Sequence, residues 1–175
     1  EFPGFIELAQ ISEFVPVEAQ TAWTAEIGTR GKMGALSWDV AVYRADLKGE
    51  LLQYNIGPDI PASTFNAGRT RHQGVEAGLT FVPVEWLRIR QTYQYNDFTF
   101  RNDTQFGDNR LPVVPRHAYR GEIRLGTDAM HIAPSIEWVP QGAFADYSNS
   151  LRVPGYAMIG LTAGYSVTDG VDLFL

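Results

Sequence analysis

The sequence predicts an all-β fold, an antiparallel transmembrane β-barrel wall of about eight strands. Three observations predict it. Eight stretches alternate apolar and polar residues one for one, the period of a sheet with one greasy and one polar face. The links between them are by turns very short and long, as in a barrel with tight turns at one rim and large loops at the other. The aromatics Trp23, Trp38, Phe81, Tyr93, Tyr95, Tyr119, Trp138 and Tyr165 all share the apolar side of their strands, several near strand ends, where interfacial belts sit.

Strands are read at residues 22–30, 35–46, 66–82, 86–96, 116–126, 129–139, 156–167 and 171–175. In the first, Trp23, Ala25 and Ile27 oppose Glu26 and Gly28. In the second, Leu36, Trp38, Val40 and Val42 oppose Ser37, Asp39, Ala41 and Tyr43. The third sets Val75, Ala77, Leu79 and Phe81 against Gly74, Glu76, Gly78 and Thr80. The fourth carries Tyr93 and Tyr95 on its apolar side, and the fifth sets Tyr119, Ile123 and Leu125 against Arg120, Glu122 and Arg124. In the sixth, Pro134 removes a ladder donor, so a bulge or local break is expected there. The seventh sets Ile159, Leu161, Ala163, Tyr165 and Val167 against Gly160, Thr162, Gly164 and Ser166. Short links at 31–34, 83–85, 127–128 and 168–170 hold the Gly, Pro, Asp and Thr of tight turns. The links at 47–65, 97–115 and 140–155 are long and polar, and only residues 5–14 show a weak helical period.

Composition narrows the function classes. The chain has 175 residues, a formal charge of −6 and no cysteine, so disulfides and thiol chemistry are excluded. Nucleic acid would call for a basic stripe, and no nucleic-acid partner is expected. His72, His117 and His131 show no metal-ligand spacing, and no nucleophile, base and orienter come together, so neither a metal, a cofactor nor enzymatic activity is expected. Two architectures stay open at this point. A soluble sandwich would turn the apolar set inward, and a self-closing eight-stranded structural or adhesion barrel would pair residues 22–30 with 171–175.

Four motifs carry a family resemblance. Trp23-Thr24-Ala25-Glu26-Ile27-Gly28-Thr29-Arg30-Gly31 resembles the Glu-x-Gly strand of TonB-dependent outer-membrane receptors. The stretch from Phe65 and Asn66 to Gly74-Val75-Glu76 is similar to their Asn…Gly-x-Glu strand. Leu111-Pro112-Val113-Val114-Pro115 resembles the Leu-Pro-x-x-Pro lead-in to a later strand, and Val153-Pro154-Gly155-Tyr156 the Pro-Gly-Tyr lead-in to another. The resemblance covers the chain from about Gln20 onward. It implies a β-barrel fragment like strands fourteen to twenty-one of a plugged barrel of the 22-stranded class. Residues 1–20 would be an extracellular loop region and 21–175 strands with periplasmic turns near Gly31, Val84, Asp128 and Asp169. The plug domain and the last strand are expected to be absent from this chain.

The resemblance also implies a role. The expectation is a bacterial outer-membrane receptor of the siderophore type, importing a scarce solute with energy drawn from the TonB complex through the plug. Its partners would be outer-membrane lipid, its own plug domain, the TonB complex and a ferric siderophore or similar ligand. A passive porin is the functional alternative. Glu26 and Glu76 point to the polar side two strands apart, with backbones roughly 10 Å from each other. In the resembled family these positions hold arginines of the plug; a local pairing of Glu76 with Arg90 or Arg88 is the alternative. Tyr54, Phe98, Phe100, Arg101, Phe106, Arg110, Tyr147 and Arg152 are the candidates to meet ligand in the long loops, because flat chelates stack on aromatics and anionic complexes attract arginine.

Overall fold

In a computed structural model the chain is described over residues 17–54, 63–168 and 170–175. The described strands form one antiparallel sheet in chain order: β1 Thr21–Met33, β2 Leu36–Tyr54, β3 Ser63–Val84, β4 Leu87–Phe100, β5 His117–Gly126, β6 Met130–Val139, β7 Tyr156–Thr168 and β8 Val171–Phe174. β1 pairs with β2 and β8 with β7, so the sheet is an open arc and not the self-closing eight-stranded barrel. The expected 1–20 loop region up to residue 16, the weak helical period at 5–14, and Asp169 lie outside the described residues.

Alternation places two opposite faces. A cavity of ≈ 690 Å³ runs from Glu26 on β1 across Asp39, Glu76, Gln94, Arg120 and Glu137 to Tyr156 on β7, so the polar parity lines the concave side. The apolar parity is convex and uncovered, with Trp23 63% and Ile159 85% exposed. A soluble sandwich would stack a second sheet on this face; all eight described strands belong to one sheet.

Three strands run further than alternation indicates. β2 continues to Tyr54, β3 starts at Ser63 and β4 ends at Phe100, which places Tyr54, Phe65, Phe98 and Phe100 on strands and not in loops. The reason is physical. Beyond the apolar band the outward positions turn polar, so Arg44, Asp46, Lys48, Arg69 and Arg71 stand where apolar residues stood, while the backbone ladder continues. A greasy face marks a strand in sequence; hydrogen bonding alone does not.

The first two short turns are tighter than expected, and the third, residues 127–129, is one residue longer. Gly34 and Ala35 make the first, with Gly34 at φ 58°, and Gly31 lies within β1. Trp38 lies over Gly31, where a Cβ would come within 2.3 Å of the indole. Val84 pairs with Leu87 across a register shift after Phe81. At Pro134 the pairs with Ile123 and between Arg124 and Ala133 drop out of the β5–β6 ladder, while the register on either side is unchanged. The break is present and the bulge is not. A packed cluster closes the long-loop end: Ala67, Phe100 and Leu111, with Leu52, Phe65, Phe98, Phe106 and Tyr147 against them.

Candidate functional site

The two short glutamate motifs meet through β2. The register aligns Glu26, Tyr43, Gly74 and Asn96 in one cross-strand row, and Gly28, Ala41, Glu76 and Gln94 in the next. Each glutamate is thus level with the other motif's glycine. The glycines are there for space. A Cβ at Gly74 would lie 2.2 Å from the carbonyl oxygen of Tyr95 and 2.6 Å from the Tyr43 hydroxyl, and one at Gly28 would lie 2.8 Å from the carbonyl of Val40. Tyr43 therefore lies over Gly74 and donates to Asn96 Oδ1 at 2.8 Å. With Gly28 and Ala41 small, the ground between the two carboxylates stays open. Two strand spacings and a two-residue offset put their backbones about 12 Å apart.

The cavity's other carboxylates are paired. Asp39 holds Arg30 at 2.5 Å, and Glu137 takes Arg120 at 2.8 Å and the Tyr156 hydroxyl at 2.6 Å. Further toward the short turns Arg90 reaches Glu122 at 3.9 Å, so it does not serve Glu76. Glu76 receives one long hydrogen bond, from Gln94 Nε2 at 3.5 Å. Among the described residues Glu26 and Glu76 have no cation within ion-pair distance. Both glutamates are exposed and present two negative charges to the hollow, where a carboxylate is a strong acceptor for cations and donors.

The loop candidates are brought together, but mainly with one another. The Phe65 ring lies 5.6 Å from Tyr54, 6.2 Å from Phe106 and 5.5 Å from Tyr147. Phe100 is fully buried, 5.0 Å from Phe106 and 5.8 Å from Tyr147, and serves the packing. Phe98 stacks on His72 at 4.2 Å, and Tyr147 donates to the Gln53 carbonyl at 2.6 Å. Gly49, at φ 69°, turns the strand so that Glu50 meets Thr70 and His72 beside this cluster. Arg101 faces Asp108 at 3.9 Å, and Arg152 lies over Phe144 at 5.7 Å. Arg110 is pulled down from the usual guanidinium range by burial and by Arg116. Arg116, which the sequence did not single out, lies over Tyr95 at 5.6 Å and donates to its hydroxyl at 3.1 Å. Its position directly after Pro115, at the strand lead-in, was the available signal.

This geometry agrees with comparisons to known proteins. The ferric yersiniabactin uptake receptor FyuA from Yersinia pestis superposes with a TM-score of 0.73 at 20% identity, over 91% of this chain and 26% of its own. The copper transporter OprC superposes at 0.79 and 16% identity, over 99% and 28%. The siderophore receptor PiuA from Acinetobacter baumannii gives 0.69 and 23%, over 87% and 23%. The chain therefore spans about a quarter of the length of each, and these likenesses establish the fold. The family model described as TonB dependent receptor-like, beta-barrel matches residues 2–175, and the chain belongs to that family of transport receptors.

Proposed function

We propose that this chain forms part of the barrel wall of an outer-membrane receptor that imports a scarce solute with TonB-derived energy, a ferric siderophore being the best-supported cargo. The carrying observation is the pair Glu26 and Glu76, left without cations in one cavity whose other carboxylates are satisfied. In a plugged barrel they are the seats for arginines of the plug, which would tie it to the wall and still let it rearrange. FyuA and PiuA, named for siderophore uptake, support an iron chelate; OprC, named for copper, shows that the same wall architecture accompanies another metal.

In this reading the short turns face the periplasm and the long-loop end faces outward, and lipid covers the convex apolar band. Tyr54, Phe98, Phe106, Tyr147, Arg101, Arg110 and Arg152 shape the outer recognition surface, with Phe100 as its buried support. The test is uptake by the full-length receptor under iron limitation with a panel of ferric siderophores, in cells with and without TonB. TonB-dependent uptake of at least one chelate is expected. Voltage-independent conductance with no TonB requirement would instead make the protein a passive porin.

A further inference from the structure

We propose that Arg88 and Arg124, at the short-turn end of the concave wall, form a transit site for an anionic metal chelate leaving the hollow. The inference rests on the import reading and adds a second ligand site, remote from the long loops. Register divides the hollow by height. On β1 to β3 the upper rows, Glu26 with Tyr43 and Gly74, then Gly28 with Ala41 and Glu76, carry carboxylates and no cation. Nearer the turns, cations take over on β4 and β5: Arg120 stands beside Thr92, Arg90 beside Glu122, and Arg88 beside Arg124. An anion in the hollow is therefore repelled by the upper rows and drawn to the lower ones.

Arg88 and Arg124 are directly opposite on adjacent strands, and like charges so placed are destabilising unless an anion joins them. The nearby carboxylates serve other groups. Glu122 reaches Arg90 at 3.9 Å, and Asp128 accepts from Arg124 at 3.1 Å from the exposed turn. Arg88 is exposed and forms no ion pair among the described residues. Arg124 also meets His131 Nδ1 at 3.3 Å, while its Nε is buried without a partner. Beside the pair the wall is hollow: Arg90, Arg120, Glu122, Ser135 and Gly160 line a cavity of ≈ 530 Å³. A single carboxylate fixed on a plug needs one arginine and no such space. A larger anion uses both guanidiniums, and their loose, exposed setting lets it leave again.

The test uses the full-length receptor carrying Thr80→Cys, a position beside Arg90 on the next strand and one pleat from Arg88. Its labelling rates are measured with an anionic and a cationic methanethiosulfonate reagent. The anionic reagent should react faster, and Arg88→Gln should cut the ratio of the two rates about tenfold, as removal of one unit charge at this range implies. Lys48→Gln, on the convex face, is the control and should leave the ratio unchanged. In cells, Arg88→Gln should also slow TonB-dependent uptake of anionic ferric chelates by about the same factor, with neutral chelates and binding at the outer loops unaffected. Equal rates for the two reagents, or no reaction with either, would overturn the proposal in favour of an acidic plug side chain seated between the arginines. A lost anionic preference with unchanged uptake would overturn it in favour of a site for free anions. If the unsubstituted receptor takes up no chelate, the import reading fails and the transit role with it, while the labelling ratio still shows whether the arginine pair draws anions.

Discussion

At the scale of single residues, the wall is shaped as much by missing side chains as by charged ones. Gly74 is the clearest case, because the Tyr95 carbonyl 2.2 Å from its would-be Cβ belongs to a paired strand and cannot swing aside. Gly74→Ala should destabilise the barrel by about 1–3 kcal/mol, measured as a lowered denaturant midpoint for refolding into detergent. The parity of Glu26 and Glu76 was legible from alternation alone. Their lack of partners was not, because it depends on Arg90 turning to Glu122 and Arg120 to Glu137, choices set by cross-strand register. Arg116 escaped notice for a similar reason: its cation–π seat exists only once β4 and β5 are side by side.

At the scale of elements, the long loops behave as a docked cap. Asp146 accepts from the Leu151 amide at 2.9 Å and from the Ser150 hydroxyl at 2.7 Å, bonds that hold its carboxyl below the usual carboxylate range. A depressed folded value means the stabilisation is present above the unfolded pKa, near pH 4, and fades as pH falls through the lower folded value. Amide exchange at Ser150 and Leu151 should therefore rise in acid beyond the intrinsic trend, and Asp146→Asn should remove that dependence. Phe100→Ala empties the centre of the cluster and should cost about 3–5 kcal/mol locally, seen as faster exchange through residues 101–116 and 140–155 with the β5–β8 ladder unaffected. Strand order and the short turns were legible because each strand across the apolar band shows one greasy face. The upper halves of β2 to β4 were not, because polar side chains take the outward positions there and erase the alternation. Pro134 fell between: its missing amide foretold the break, while the constant register around it is held by β7, which pairs with β6 throughout.

At the scale of the molecule, three surfaces divide the work. The convex face is apolar, the long-loop end is packed with aromatics, and of the carboxylates lining the concave cavity only Glu26 and Glu76 lack a cation among the described residues. The proposed anchoring of a cationic partner in the hollow rests on that mismatch. The most direct measurement is hydrogen exchange of the plug in the full-length receptor, comparing the native protein with Glu26→Gln/Glu76→Gln. Plug amides facing β1 to β3 should exchange at least about tenfold faster in the variant, a loss of about 1.4 kcal/mol of anchorage, while the barrel strands keep their protection. Identical plug exchange in the two proteins would contradict it.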